Sequence, residues 1–515
     1  MMCLGMFMAI LDIQVVATAL PTIQAAFRVP PDQMSWVQTA YLIAEVVAIP
    51  LTGVLTRIMS TRGLFVTAIS VFTLASIACA ASQSFPALVG FRVLQGFAGG
   101  TLIPSVFAVV FLVFPLRLQG TATTIAGVLA VLAPTVGPIV GGWITQTYSW
   151  HWLFLINVAP GVIAAVGGFV FLARSPADPV ALRRIDALGL ALLAIALAAL
   201  EIGLKQAPDH GWRSPQVLGL LGLSAVAGGG FIIRSLAARP PIVELRTLKN
   251  RNFAIGCVLS FVLGIGLFGS VYLMPVFLAF VRGHGALQIG EIMLVTGAAQ
   301  LLTAPIAVAL ERRVDARLLT SFGFLLFGAG LAASAFETGQ TDFNQMFWPQ
   351  IARGVAIMFC LLPPTRLALG RLEASQIPDA SGLFNLMRNL GGAIGLALID
   401  TVIFGRAPTL AKAIAARLQR GDLDTARAVG IPLALFRSHG SGPIDSDTAE
   451  ILRPMVQHLA LVQAINEAWM LVSLLTLVAL LTVPFAKPER PAMSMQPAAA
   501  AEAATTPNSS CARRA

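Results

Sequence analysis

Fourteen apolar runs follow one another along the chain, each near the roughly 20 residues that a helix needs to cross a hydrocarbon core about 30 Å thick. They begin near Cys3, Trp36, Leu64, Ala87, Thr121, Trp152, Ile185, Pro215, Phe253, Ile289, Leu318, Phe343, Gly382 and Leu459. Lipid offers no partner to an unpaired backbone group, so segments of this length must be helices. Composition agrees: 57% of the 515 residues are hydrophobic, 11% are charged and the mean hydropathy is +0.82, values foreign to a soluble domain. The net charge of +10 comes from arginines scattered between apolar runs. With no basic face or stripe, nucleic acid is not an expected partner, and the lipid bilayer is. Cys3, Cys79, Cys257 and Cys360 lie in apolar stretches and Cys511 near the end of the chain, without metal-ligand or disulfide spacing. They are read as packing residues.

An even number of spans puts both termini on one side. With the N-terminus inside, the inner connections hold sixteen Lys and Arg residues, from Arg57 and Arg62 to Arg366 and Arg371. The outer short connections hold four: Arg28, Lys205, Arg213 and Arg282. Basic residues favour the cytoplasmic side, so the expectation is a multi-pass protein of the inner membrane with both termini cytoplasmic. No early Lys or Arg precedes the first run and Asp12 interrupts it, which argues for a permanent span over a signal peptide. The missing cytoplasmic flank raises the expectation of a translation start further upstream.

Two stretches repeat. "PLTGVLTRIMSTR" (Pro50 to Arg62) and "PIAVALERRVDAR" (Pro305 to Arg317) place proline, arginine and arginine at equal spacing, 255 residues apart. Arg92 in span 4 and Arg353 in span 12 are a weaker echo. Parallel repeats imply two related halves about an axis along the membrane normal. The expected division is a six-helix bundle over 1–173, cytoplasmic connections with inserted spans 7 and 8 over 174–251, and a second six-helix bundle over 252–486. The second bundle carries an extracytoplasmic loop over 405–458, partly helical around Leu410 to Leu418. A low-complexity, disordered cytoplasmic tail is expected over 487–515.

Seven motifs in order resemble those of the fourteen-span drug:proton antiporters of the major facilitator superfamily, the EmrB/QacA-type exporters. They are "LDIQVVATALP" in span 1, "GVLTRIMSTRG" in loop 2–3, "RVLQGFAGG" in span 4, "APTVGPIVGG" in span 5, "WHWLFLINVAPG" entering span 6, "PIVELRTLKNRNFAIG" entering span 9 and "LFNLMRNLGGAIG" opening span 13. The resemblance covers roughly residues 4–485 and implies an all-α membrane protein with the major facilitator fold. It also implies a proton-coupled exporter of lipophilic or amphiphilic small molecules, and systems of this kind often pair with a periplasmic adaptor and an outer-membrane channel. In loop 2–3 the gate would comprise Gly53, Arg57, Arg62 and Gly63. Thr56 stands there where the family usually has an acid, which removes the gating charge pair from expectation.

Asp12 lies nine residues beyond Cys3, about 14 Å along a helix and therefore near the midplane. Holding a carboxylate ionised there costs about 2.5 to 3.5 kcal/mol on insertion scales. Either it faces a cavity and carries protons between the two sides, or it is a structural group hydrogen-bonded to neighbouring helices. Glu45 lies at similar depth in span 2, where the repeat offset gives Gln300 in the other half. It either shares protons with Asp12, meets a cationic substrate, or bonds structurally. Arg92 cannot shed its charge and demands an acid, which it either competes for with protons or holds as a structural pair. Arg353 and Arg388 pose the same question in the second half, where structural roles are favoured. Gly137, Pro138, Gly141 and Gly142 combine GxxxG spacing with a helix kink, and Gly391 and Gly395 repeat the spacing in span 13. Small residues permit close helix approach, and the glycine face of span 5 is expected to meet span 10. Asp400 and Glu467 are read as solvated span ends, and Glu201 in span 7 as uninformative.

Walker, GxSxG and HExxH patterns are absent and the five histidines are ungrouped. The expectation is a transporter rather than an enzyme, with no metal and no cofactor, driven by the proton gradient. The rivals are an exporter of an endogenous metabolite or lipid, a proton symporter on the same fold, or a non-transporting membrane scaffold or sensor.

Overall fold

The computed structural model describes all residues except 114–115, 174–185, 238–242, 312, 371, 373–375, 433–435, 437–445 and 488–515. Arg174, Arg183, Arg184, Arg239, Arg312 and Arg371, the side chains of Arg57 and Arg117, and nearly all of the expected tail lie outside the described residues.

Thirteen helices among the described residues are long and apolar enough to cross a membrane. The helix Leu116–Thr147 supplies the fifth span. Span 1 is Met2–Phe27; spans 2 and 3 are Trp36–Gly53 and Ile58–Ala80; span 4 is Phe85–Val113. Span 6 is Trp152–Phe171 and span 7 begins at Ala187. Span 8 is Pro215–Ala237, span 9 Arg251–Phe280, span 10 Ala286–Glu311, span 11 Ala316–Phe336 and span 12 Phe343–Leu369. Span 13 is Ile377–Gln419, and span 14 runs from Ser446 to Phe485.

Most expected starts fall within a few residues of these. Spans 2 and 3 are joined almost directly: Ser60 alone, with a φ of 67°, interrupts an otherwise continuous helix Trp36–Ala80, so the returning helix starts beyond it, within a few residues of Leu64. Span 14 starts well before Leu459, at Ser446, and span 13 continues to Gln419. Much of the polar 405–458 segment is therefore helix prolonging the spans. The short helix Leu423–Val429 joins a separate apolar cluster with Ile414, Leu418, Val456 and Ala460. Polar composition misled there because helix periodicity persists after hydropathy falls.

Spans 1–6 and 9–14 form two six-helix bundles. One end of the molecule (end A) carries the 1–2, 5–6, 9–10 and 11–12 connections, and the opposite end (end B) carries 2–3, 4–5, 10–11 and 12–13. The halves meet where span 5 packs on span 10 and span 2 on span 13. At the first seam glycine is required. A Cβ on Gly142 would lie 2.7 Å from Leu287 Cα, and one on Gly290 3.0 Å from Ile139 Cα. Lipid supplies no hydrophobic drive between helices, so such backbone approach is a principal source of their attraction. Gly137 and Gly141 face the other way, onto Gln14 and Val15 of span 1. Gly391 and Gly395 lie against Phe261 and Ile265 of span 9.

Spans 7 and 8 pack on each other, and span 7 also touches spans 2 and 13. Leu193, Leu197 and Phe231 enter one apolar cluster with Val46, Ile49, Leu383 and Phe384. The inserted pair thus lies along the junction of the halves. Val226, Ile233, Leu302, Ile306 and Leu481 are exposed, as side chains facing lipid would be. Exposed Trp143, Tyr148, Trp152, Trp212 and Trp348 all lie near end A, where an interfacial aromatic belt would sit.

At end A, Asp342 caps span 12 with Gln345 and accepts from Arg282 Nη2 at 2.8 Å and pairs with His284 Nε2 at 3.0 Å. The Arg282 hydrogen bond, chiefly, holds the Asp342 carboxyl down at about 2. A depressed acid contributes stability above its unfolded value, near 3.9, and loses it as pH falls through about 2. Amide protection factors over residues 339–346 should therefore stay flat down to about pH 4 in wild type and be lower in Arg282→Ala. Separately, Gly290→Val should cost about 1–3 kcal/mol by overpacking and lower the detergent melting temperature. Gly219→Val, whose Cβ meets nothing within 4 Å, should leave it nearly unchanged.

Candidate functional site

Asp12 is fully buried in the amino-terminal bundle, at the meeting of spans 1, 4 and 6. It is ion-paired with Arg92 Nη1 of span 4. Its Oδ1 also accepts from Gln95 Nε2 at 2.9 Å and from Asn157 Nδ2, at the head of span 6, at 2.7 Å. The expectation that it faces a cavity does not hold for this conformation, because those donors enclose it. Arg92 is equally buried. Its Nη1 donates to Gln95 Oε1 at 2.8 Å and its Nε to the Val37 carbonyl at 3.0 Å, while its guanidinium lies 4.3 Å from the Tyr41 ring centroid. Gln95 donates onward to Ser76 at 2.9 Å.

Glu45 lies one turn beyond Tyr41 on span 2 and is buried, but it does not bond to Asp12. It faces Arg388 and Asn389 of span 13, across the junction of the halves. Arg388 also donates to Asn385 Oδ1 at 2.5 Å. Depth along the spans groups Glu45 with Asp12, whereas helix rotation sends the two acids to different partners, Asp12 to Arg92 within its own half and Glu45 to Arg388 and Asn389 of the other.

Arg353 has no carboxylate bonded as closely as Asp12 is to Arg92. It donates to Met274 Sδ at 3.0 Å, its guanidinium lies 4.8 Å from the Trp469 ring, and Glu337 is the acid nearby. Gln300 is buried in span 10, which packs on span 12 at Gly354. In loop 2–3, Gly53 is exposed, Arg62 lies 4.4 Å over the Phe169 ring, and the Gly63 amide donates to Ser60 Oγ at 3.2 Å. Thr56 donates at 2.7 Å to the Thr52 carbonyl of its own helix, so it replaces the missing acid with no link to another span.

Two readings need correction. Lys205, counted with an outer connection, lies inside span 7 with 3% of its side chain exposed. Asp400, read as a solvated end, has 2% exposed and accepts from Lys205 Nζ at 2.5 Å. Asp400 also accepts from Tyr272 at 2.7 Å and from Ser35 at 2.9 Å. A lysine inside an apolar run, four residues after Glu201, was the available signal. Glu467 is partly exposed and pairs with Arg406 at 2.7 Å, as a solvated end would. Gln95, Asn157 and Tyr41 were also missed. Gln95 stands one turn from Arg92 and Asn157 inside a recognised motif, but which polar residue turns inward is decided by packing.

This arrangement defines a polytopic helical carrier with a buried acid–guanidinium pair in one half. The Major Facilitator Superfamily profile matches residues 2–396. The colistin resistance protein EmrB of Acinetobacter baumannii is 38% identical over 401 residues, 78% of each chain. The multidrug export protein EmrB of Escherichia coli K12 is 34% identical over 402 residues, again 78% of each. The fatty acid resistance protein FarB of Neisseria gonorrhoeae is 30% identical over 407 residues, 78% of this chain and 79% of FarB. Among solved structures, the peptide transporter POT superposes with a TM-score of 0.60 at 12% identity, over 94% of both chains. A bacterial homologue of the lysosomal transporter Spinster, inward-facing, superposes with a TM-score of 0.58 at 14% identity, over 94% of this chain and 96% of that one. The chain belongs to the major facilitator superfamily, in its fourteen-span EmrB-type branch.

Removing one partner of a buried ion pair costs about 3–5 kcal/mol, because the other charge is left uncompensated. Asp12→Ala should therefore lower the detergent melting temperature sharply. Asp12→Asn combined with Arg92→Met, which removes both charges, should restore much of the loss.

Proposed function

We propose that this chain is a proton-driven antiporter that exports lipophilic or amphiphilic small molecules across the inner membrane by alternating access. The carrying observation is a titratable acid, Asp12, buried midway along span 1 and held by Arg92. The kinship with EmrB-type export proteins supports the same reading. The excess of Lys and Arg in the end-B connections supports a cytoplasmic end B, both termini inside, and end A outside.

The conformation described has Asp12 occupied by Arg92, Gln95 and Asn157, as a proton-free carboxylate requires. Rocking of the halves shifts spans 1 and 4, weakens Arg92's hold, and admits a proton from outside. On return, Arg92 displaces that proton toward the cytoplasm. Glu45, facing Arg388 across the junction, reports the relative position of the halves and meets cationic substrates. The Gly142 and Gly290 seam seals end A, Gly391 and Gly395 hold span 13 against span 9, and Arg62 fixes loop 2–3 on span 6. Gln300 and Arg353 organise the second half without a proton-carrying acid at equivalent depth. No cofactor enters this cycle. Each charge moved down 100 mV yields about 2.3 kcal/mol and each pH unit about 1.36 kcal/mol, so one proton sustains a gradient of tens-fold from 100 mV for a neutral substrate, and about tenfold per pH unit for a monovalent cation, whose charge cancels the electrical term. The helices that prolong spans 13 and 14 beyond end A are the surface for a periplasmic adaptor and, through it, an outer-membrane channel.

Everted vesicles carrying wild-type protein should accumulate lipophilic dyes, lose that accumulation with an uncoupler, and release protons when substrate is added. Asp12→Asn combined with Arg92→Met, which leaves no uncompensated charge, should express but lose uphill accumulation. Full uphill transport by that double variant, or indifference of the wild type to uncoupler, would sink the proposal.

A further inference from the structure

The buried cluster of Ser35, Lys205, Tyr272 and Asp400 has no part in the cycle above. Its members come from three parts of the chain. Ser35 leads into span 2 of the first half, Lys205 belongs to inserted span 7, and Tyr272 and Asp400 belong to spans 9 and 13 of the second half. Spans 7, 9 and 13 each reach it near end A, after running from end B. Lys205 Nζ contacts both Ser35 Oγ and Asp400 Oδ2, Ser35 donates to Asp400 at 2.9 Å, and Tyr272 donates to its other oxygen at 2.7 Å. All four are at least nine-tenths buried.

We propose that Asp400 is a second proton-binding carboxylate of the transport cycle, which clasps the two halves at end A through Lys205 while unprotonated and frees them when protonated. This rests on the proton-driven antiport reading. Ser35 cannot stay bonded to Asp400 once the halves part at end A, so opening strips the carboxylate of one donor and displaces it from Lys205. A carboxylate exposed to the outer solution in that way has a proton as the available replacement. The proton enters as H+ on Asp400 Oδ2, Lys205 keeps its own charge, and reclosure reverses the exchange. The groups that face Asp400 from the packed elements are Lys205 of span 7, Ser35 before span 2 and Tyr272 of span 9. Glu201 lies one turn along span 7, and on spans 13 and 14 the next ionisable groups, Arg406 and Glu467, engage each other. Lys205 is thereby the one cation among these that bonds Asp400. The inserted spans then have a defined task, since among the described residues it is Lys205 of span 7 that brings a cation to this point.

The test uses the full-length protein in a cysteine-free background, with spin labels at Gln33 and Gln340, exposed positions in the 1–2 and 11–12 connections. Wild type should shift from short to long distances as pH is lowered. Asp400→Asn, which keeps the shape and loses the titratable oxygen, should populate the long distance at every pH. Asp400→Glu should restore the response with a displaced midpoint. Lys205→Met should move the wild-type midpoint toward higher pH, and Asp400→Asn, held open at end A, should lose uphill transport. An unchanged pH response in Asp400→Asn, or in Lys205→Met, would overturn the inference. Proton coupling is measured alongside in wild type. If the wild type is uncoupled, the antiport reading itself fails; if it is coupled and Asp400→Asn behaves as wild type, only the clasp fails.

Discussion

A guanidinium cannot be neutralised inside a helical bundle, so wherever Arg92 is placed an acid must follow. That necessity organises the amino-terminal half. Asp12 supplies the acid from span 1, Gln95 bridges acid and base on span 4, Asn157 pins the head of span 6, and the Tyr41 ring of span 2 covers the guanidinium. One electrostatic requirement thus fixes the mutual rotation of four helices. A group held by four elements responds when any of them moves, which is what the proposed cycle asks of Asp12.

The second half has the same architecture and a different chemistry. Arg353 echoes Arg92, yet it rests on a thioether and an indole, with Glu337 as its nearby acid at the end of span 11. Polarisable neighbours spread the charge at that point. Fold symmetry and chemical asymmetry therefore coexist because a helical repeat keeps where a side chain sits and leaves open what it is.

Much of this was legible in the sequence. Span count, the two halves, the inserted pair and the meeting of spans 5 and 10 follow from hydropathy, the repeat at Pro50 and Pro305, and the glycine spacing. Asp12 and Arg92 were visible as charges in oil. What was hidden is rotation about each helix axis. Glu45 and Asp12 share a depth but not a face, and Lys205 read as a loop residue because a single charge near a span end resembles a boundary. Only packing distinguishes a lysine that snorkels from one drawn inward by a carboxylate on another span. Asp400 was misjudged for the complementary reason.

Toward end B the apolar contacts between halves run through Val46, Ile49, Leu383 and Phe384, one turn from where Glu45 faces Arg388, and Thr56 spends its hydroxyl on its own helix. Dissolved ions screen charges and leave apolar contacts almost untouched. The apolar share of the barrier to parting at that end should consequently be nearly indifferent to ionic strength. Swelling, shrinkage or potassium loading of the compartment it faces would leave that share of the door's resistance unchanged.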